Sequence, residues 1–195
     1  MTTEKKYTIP LTKMSVKAWP GRTDTQGLVS SLMLSLAMIG MLQFGERFDT
    51  LFFGGLFPVS GRVIAFCMVG LATALFGAVG GFIVSEINPL IATATGTSPI
   101  APFWLITNGI QVFAMLLSGA ITKNVISWRN TILYAILASV FVVALYIPLH
   151  VFYFKLPWSK LIAMYSFQTA VSIPATAIFV RGLLAVMEKS GFISE

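Results

Sequence analysis

Apolar residues run through this chain in long blocks, and polar residues gather at a few places between them. Blocks of this length without period-2 alternation predict helices, not strands. The first runs from Gly27 to Phe44 and predicts helix 1, with Asp24 or Thr25 placed to cap it. The next piece, 45–61, holds Glu46, Arg47 and Asp49 and then a short apolar run. It is too short to span, and it reads as a lid or re-entrant loop covered by protein or a water-filled cavity. Further blocks at 102–122, 131–153 and 161–186 predict three more helices, and Pro174 is a candidate kink in the last. Between them lie an uncharged loop, 93–101, a turn, 123–130, and a loop, 155–160, in which Trp158 is a candidate interface anchor.

Residues 62–91 have two readings. Val63 to Ser85 carries no charge and is long enough for one span. Gly70, Gly77, Gly80 and Gly81 also allow two shorter helices, 62–76 and 78–91, meeting at a tight turn near Gly77.

Composition narrows the class. The chain is 56% hydrophobic and 10% charged, where a soluble domain carries about 25% charged residues. It therefore reads as an integral membrane protein, and the runs are too long and too uniformly apolar for a transmembrane barrel. No small-residue cleavage site follows the first block, so helix 1 reads as retained. The net charge of +6 serves orientation. With two helices in 62–91, six spans leave Lys5, Lys6, Lys13, Lys17, Arg22, Lys123, Arg129, Arg181 and Lys189 inside, nine of 13 basic residues. With one helix there, the split is seven inside to six outside. The positive-inside rule favours six. The expected fold is an all-α membrane bundle of six transmembrane helices with both termini cytoplasmic. Residues 1–26 form the lead, 27–187 the bundle and 188–195 the tail.

Six spans also sort the polar residues by depth. Glu86 and Asn88 fall near the outer end of the third helix. Trp104, Asn108 and Gln111, spaced i, i+4, i+7, share one face of the fourth. Tyr146, His150 and Tyr153 repeat that spacing on the fifth, and Tyr165, Gln168, Thr169 and Ser172 line the sixth. A carboxylate in lipid marks a functional site by default, unless Glu86 pairs with Arg62 or reaches water. Gln111, Gln168 and Asn108 have a packing role as their alternative. His150 has a packed or interfacial one, and Tyr153 and Tyr165 a place in the interface belt. Together the set suits a small heteroaromatic: Trp104, Tyr146 and Tyr165 to stack, the amides and His150 to bond heteroatoms, Glu86 to take a cation or amino group. Nothing favours phosphate, since no glycine-rich loop ends in Lys-Ser/Thr and no arginines cluster.

Other chemistry is thin. The single Cys67 excludes an intramolecular disulfide, and the single histidine excludes a multi-histidine metal site. No motif implies a cofactor. Without a Walker motif, ATP-driven work needs another subunit. On helix 1, Gly27, Ser31 and Ser35 form a small-residue ridge that suits close packing, within the chain or against a partner.

These features resemble the substrate-binding (S) components of energy-coupling factor transporters, over most of residues 27–186. The ridge Gly27/Ser31/Ser35 is similar to the family's AxxxA coupling motif, with glycine and serine in place of alanine. The stretch VGLATALFGAVGG, 69–81, resembles the family's glycine-marked junction of helices 2 and 3. PIAPFW, 99–104, through LSGA, 117–120, resembles its loop 3 and helix 4. The resemblance implies a vitamin or precursor bound at the outer face by loops 1, 3 and 5 and helices 4 to 6. Thiamine or its pyrimidine precursor is the leading expectation, from the Glu–Trp–Tyr–His set. It also implies a transmembrane coupling subunit and two cytoplasmic ATPases as partners, and no catalysis by this chain. The alternatives are a structural or assembly subunit of a membrane complex, and a small membrane enzyme using Glu86 and His150.

Overall fold

The computed structural model describes residues 9–10, 21–53, 59–96, 101–190 and 193–194. Five helices are long and apolar enough to cross a membrane: α1 (Thr25–Phe53), α2 (Val59–Thr95), α3 (Ala101–Thr122), α4 (Trp128–Pro148) and α5 (Trp158–Lys189). A π-helical turn, Leu149–Tyr153, extends α4. The chain is a multi-pass membrane protein of all-helical class. Two residues near each chain end, β1 (Ile9–Pro10) and β2 (Ile193–Ser194), pair in parallel and bring those ends together.

α1 outruns its predicted end at Phe44 by nine residues. Gly45 does not break it, and Glu46 to Phe53 continue the helix instead of forming a lid; residues 54–58 lie outside the described ones. The reason is Asp49, which is 2% exposed. Its carboxylate accepts the amides of Ser60 at 3.0 Å and Gly61 at 3.2 Å. Those are orphan donors at the start of α2, where an anion is favoured by both hydrogen bonding and the helix dipole. At the other end of α1, Arg22 Nε donates to Asp24 Oδ1 at 2.9 Å. That guanidinium, with a smaller contribution from the Gly27 amide, holds the Asp24 carboxyl below its usual value.

α2 is not one rod. Gly77 sits at φ 74°, ψ −162°, a region essentially closed to residues with a side chain. The chain folds back there. A Cβ on Gly81 would overlap the Thr73 hydroxyl and lie 3.0 Å from Val112 Cγ1. In a continuous helix Thr73 and Gly81 would be about 12 Å apart. Two arms, 59–76 and 78–95, therefore lie against each other, each about 27 Å long. The Arg22 amide donates to Phe76 O at 3.0 Å and seats the N-terminal lead on the turn.

The two arms form the centre, and the other helices wrap them. α1 packs along the second arm, where Ser35 Oγ donates to Ile83 O at 3.1 Å. α3 packs on the second arm from the other side, through Val112 against Gly81. α4 packs on the first: the fully buried Tyr134 donates to Phe66 O at 2.6 Å and lays its ring on Gly70. Phe66, Val69, Val84, Val112, Met115, Val180 and Leu184 fill the core between. Large apolar side chains such as Met33, Phe44, Phe113, Ile121, Ile178 and Phe179 face outward, as lipid contact requires.

α4 begins at Trp128, three residues before the predicted start. Asn124 Oδ1 accepts the Ile126 and Ser127 amides at 3.0 and 3.1 Å, and Ser127 Oγ caps the Asn130 amide at 3.1 Å. α5 likewise starts earlier, at Trp158, and the second arm of α2 runs on to Thr95, into the predicted loop. The rest of that loop, 97–100, lies outside the described residues.

Candidate functional site

The acid comes first. Glu86 is half-buried on the second arm of α2. Its Oε1 accepts the Ser85 hydroxyl at 2.9 Å. It also lies 3.3 Å from where a Cβ on Gly109 would sit, so the glycine lets α3 approach the carboxylate. Its Oε2 is buried without a partner. The Arg22–Asp24 pair is the ion pair present among the described residues, so Glu86 is not neutralised by Arg62.

The facing wall is α3. Asn108 Nδ2 donates to Ser85 O at 3.0 Å, binding α3 to the residue beside Glu86. Gln111, 2% exposed, donates to Asn108 Oδ1 at 3.1 Å and to Thr107 O at 3.3 Å. Its Oε1 is buried and unpaired. The Thr107 hydroxyl reaches the Tyr146 hydroxyl of α4 at 3.5 Å. Trp104 is half-buried one turn away, on the same face as Asn108. Asn88 is also half-buried, but it stands about 200° round the helix from Glu86 and does not share its face.

The third side is aromatic. The Tyr165 hydroxyl of α5 meets His150 Nδ1 at 2.9 Å, and the same nitrogen lies 2.9 Å from Tyr146 O. The His150 ring stands edge-on to Tyr165 at 5.8 Å and 5.7 Å from the Tyr146 ring. His150 belongs to the π-helical turn that follows Pro148. Such turns are rare and concentrate at functional sites. Tyr153, three residues on from His150, is exposed and belongs to the surface.

The site has a member the spacing argument did not select. Arg62, counted among the outer basic residues, lies inside α2 and turns into the bundle. It donates from Nη1 to Gln168 Oε1 at 3.1 Å and from Nη2 to Ser139 O at 3.3 Å. Its guanidinium lies over the Phe66 ring at 5.1 Å. Its Nε is buried without a partner. A sequence signal existed: Arg62 is the single charge between Asp49 and Glu86. The other unselected residue is Asp49, which holds α1 to α2 beside this end.

The ridge on α1 turns inward. Ser31 and Ser35 are both fully buried, and a Cβ on Gly80 would lie 2.8 Å from Ser31 Oγ. Ser31 donates to Gly27 O at 2.8 Å. A Cβ on Gly27 itself would meet Arg22 Cβ at 2.8 Å. Of the two roles the spacing allowed, packing within the chain is the one these three residues occupy, and they offer no free surface to a partner. Among the described residues no three of His, Cys, Asp and Glu converge as metal ligands. One end of the bundle thus joins Glu86, Asn108, Gln111, Tyr146, His150, Tyr165, Gln168 and Arg62 from both arms of α2 and from α3, α4 and α5. Compared with protein-family models, curated proteins and solved structures, the chain matches none.

Proposed function

We propose that this chain is the membrane-embedded substrate-binding subunit of an ATP-driven importer, holding a small vitamin-type heteroaromatic at the outer end of the bundle. The observation that supports it is the set of buried, unpaired polar atoms at that end: Glu86 Oε2, Gln111 Oε1 and Arg62 Nε. Such atoms are costly unless something completes them. A bound ring with hydrogen-bonding edges does so, stacking on Tyr146, Tyr165 and Trp104 and giving an N–H to Glu86. In this proposal the arms of α2 cross the membrane separately, six crossings in all, with both chain ends cytoplasmic. The split of nine basic residues inside to four outside favours that orientation. The coupling subunit and the two ATPases supply the energy. With Gly27, Ser31 and Ser35 buried, the coupling contact moves to the exposed face of α1 at Met33, Ala37 and Gly40.

The test is a native mass spectrum of the chain purified in mild detergent, with Glu86→Ala and Trp104→Ala beside it. The expected result is one small heteroaromatic per wild-type chain, lost or much reduced in both variants. A wild-type spectrum without ligand, or equal occupancy in all three proteins, refutes the proposal. A second reading, an assembly subunit, is favoured by the Asn108–Ser85, Gln111–Asn108 and Arg62–Gln168 bonds, which suit interhelical polar glue. It predicts that the variants change stability and carry no ligand in any form.

A further inference from the structure

We infer that Arg62 is the anchor for an acidic group on the ligand, so that the substrate is a ring bearing a carboxylate and not a purely cationic one. The inference rests on the binding reading above and specifies its substrate class.

The direction of the side chain carries most of the weight. Helical side chains lean toward the N-terminus of their helix, and long cationic ones near a helix end snorkel to the interface. Arg62 is the fourth residue of α2, so both tendencies would take its guanidinium out of the bundle. It goes the other way. The guanidinium lies over Phe66, one turn deeper, and reaches Ser139 of α4 and Gln168 of α5. A charge held inward, against its easy route to water, calls for a counter-charge at the same depth.

Among the described residues the chain itself supplies none. The partners of Arg62 are an amide oxygen, a backbone carbonyl and a ring face, all neutral. Asp49, at the same end, places its two oxygens on the Ser60 and Gly61 amides. Glu86 bonds Ser85 and makes no ion pair. Meanwhile Nε stays buried and open. Nε and the neighbouring Nη form the side-on fork of arginine, whose two parallel N–H vectors match a carboxylate. One fixed cation with neutral supports matches a monoanion; a phosphate dianion would call for a second. Glu86 then serves the opposite edge of the ring, where an N–H donor completes Oε2.

The experiment uses the full chain in mild detergent and reads thermal stability against matched ring pairs. The pairs are benzoate with benzamide, pyridine-3-carboxylate with pyridine-3-carboxamide, and pyrimidine-5-carboxylate with pyrimidine-5-carboxamide; 4-aminopyrimidine represents a ring without an acid. At least one acid should stabilise the wild type while its amide does not. Arg62→Gln should weaken that acid by about 30-fold or more, the loss typical of removing one partner of a buried charged pair. Arg62→Lys keeps the charge without the fork and should weaken it by about tenfold; it serves also if Arg62→Gln does not fold. Equal stabilisation by acid and amide overturns the inference, and so does acid binding unchanged in either variant. Binding of amides or aminopyrimidine alone overturns it too, but leaves the binding reading standing. If no compound stabilises the wild type and none co-purifies, both fall.

Discussion

Gly77 is the residue on which the arrangement of the site depends, and Gly77→Ala tests it. At φ 74°, ψ −162° a side chain meets its own backbone, and such a conformation costs on the order of 1–3 kcal/mol. The turn has no room to relax: a Cβ on Gly21 would lie 2.7 Å from Gly77 Cα, so the N-terminal lead already presses on it. For a chain of 150–250 residues, 1 kcal/mol moves Tm by about 2–4 °C. The expected loss is therefore roughly 2–12 °C, read by fluorescence-detected unfolding in one detergent. Gly40→Ala is the control, because a Cβ there meets nothing within 4 Å and its helix gains up to about 1 kcal/mol in propensity. Gly40→Ala should hold or raise Tm while Gly77→Ala lowers it. Equal Tm for Gly77→Ala and wild type would refute the turn. The 37 residues of α2 would then form a rod of about 56 Å, too long for a hydrocarbon core of about 30 Å. Glu86 would be carried to the opposite side from Arg62, and the site would not exist.

Two further outcomes follow from the same geometry. Asp49→Ala removes an anion from the first amides of α2 and should destabilise by about 1–2 kcal/mol, with Asp49→Asn losing less; an unchanged Tm in Asp49→Ala would show that the α1–α2 clasp is unimportant. In a Cys67→Ala background, Thr23→Cys and Ser190→Cys should react with an impermeant maleimide from one side of sealed vesicles and Ala94→Cys from the other; Ala94 labelling with Thr23 would mean that the arms of α2 do not cross separately.

Much of this was legible in the chain, and what was not has a physical reason. The turn at Gly77 could be read because two independent signals agreed, glycine density and the balance of basic residues across the membrane. Helix ends were read less well. α1 passes Gly45 because the partner of Asp49 is a pair of amides eleven and twelve residues on, a tertiary contact that propensity cannot foresee. The spacing of Gly27, Ser31 and Ser35 identified one face of α1, but not which neighbour covers it. That neighbour is the second arm of α2, which is close only because the chain folds back. Arg62 was read as an outer basic residue and a possible partner of Glu86, because sequence position gives depth and not direction. His150 was found by spacing, yet the π-helical turn that carries it leaves no mark in the pattern beyond Pro148.

Two buried amides in this bundle differ in how fully their hydrogen bonds are met. Asn130, fully buried near the start of α4, donates to Val125 O at 3.0 Å and accepts the Thr122 hydroxyl at 3.0 Å. Its needs are met within the turn it stabilises, and a ligand could add nothing there. Gln111 is nearly as buried, but its donor is directed to Asn108 and Thr107 while its carbonyl oxygen faces no donor. An amide needed only for packing would resemble Asn130, because an unpaired buried acceptor costs about 1–3 kcal/mol without benefit to the fold. The same contrast holds between Asp49, whose two oxygens are both engaged, and Glu86, with one engaged and one open. The incomplete member of each pair lies in the polar cluster that also holds Arg62 and its open Nε. Within that cluster, unmet donors and acceptors of both signs lie beside aromatic rings, which is what the proposed site for a polar ring requires.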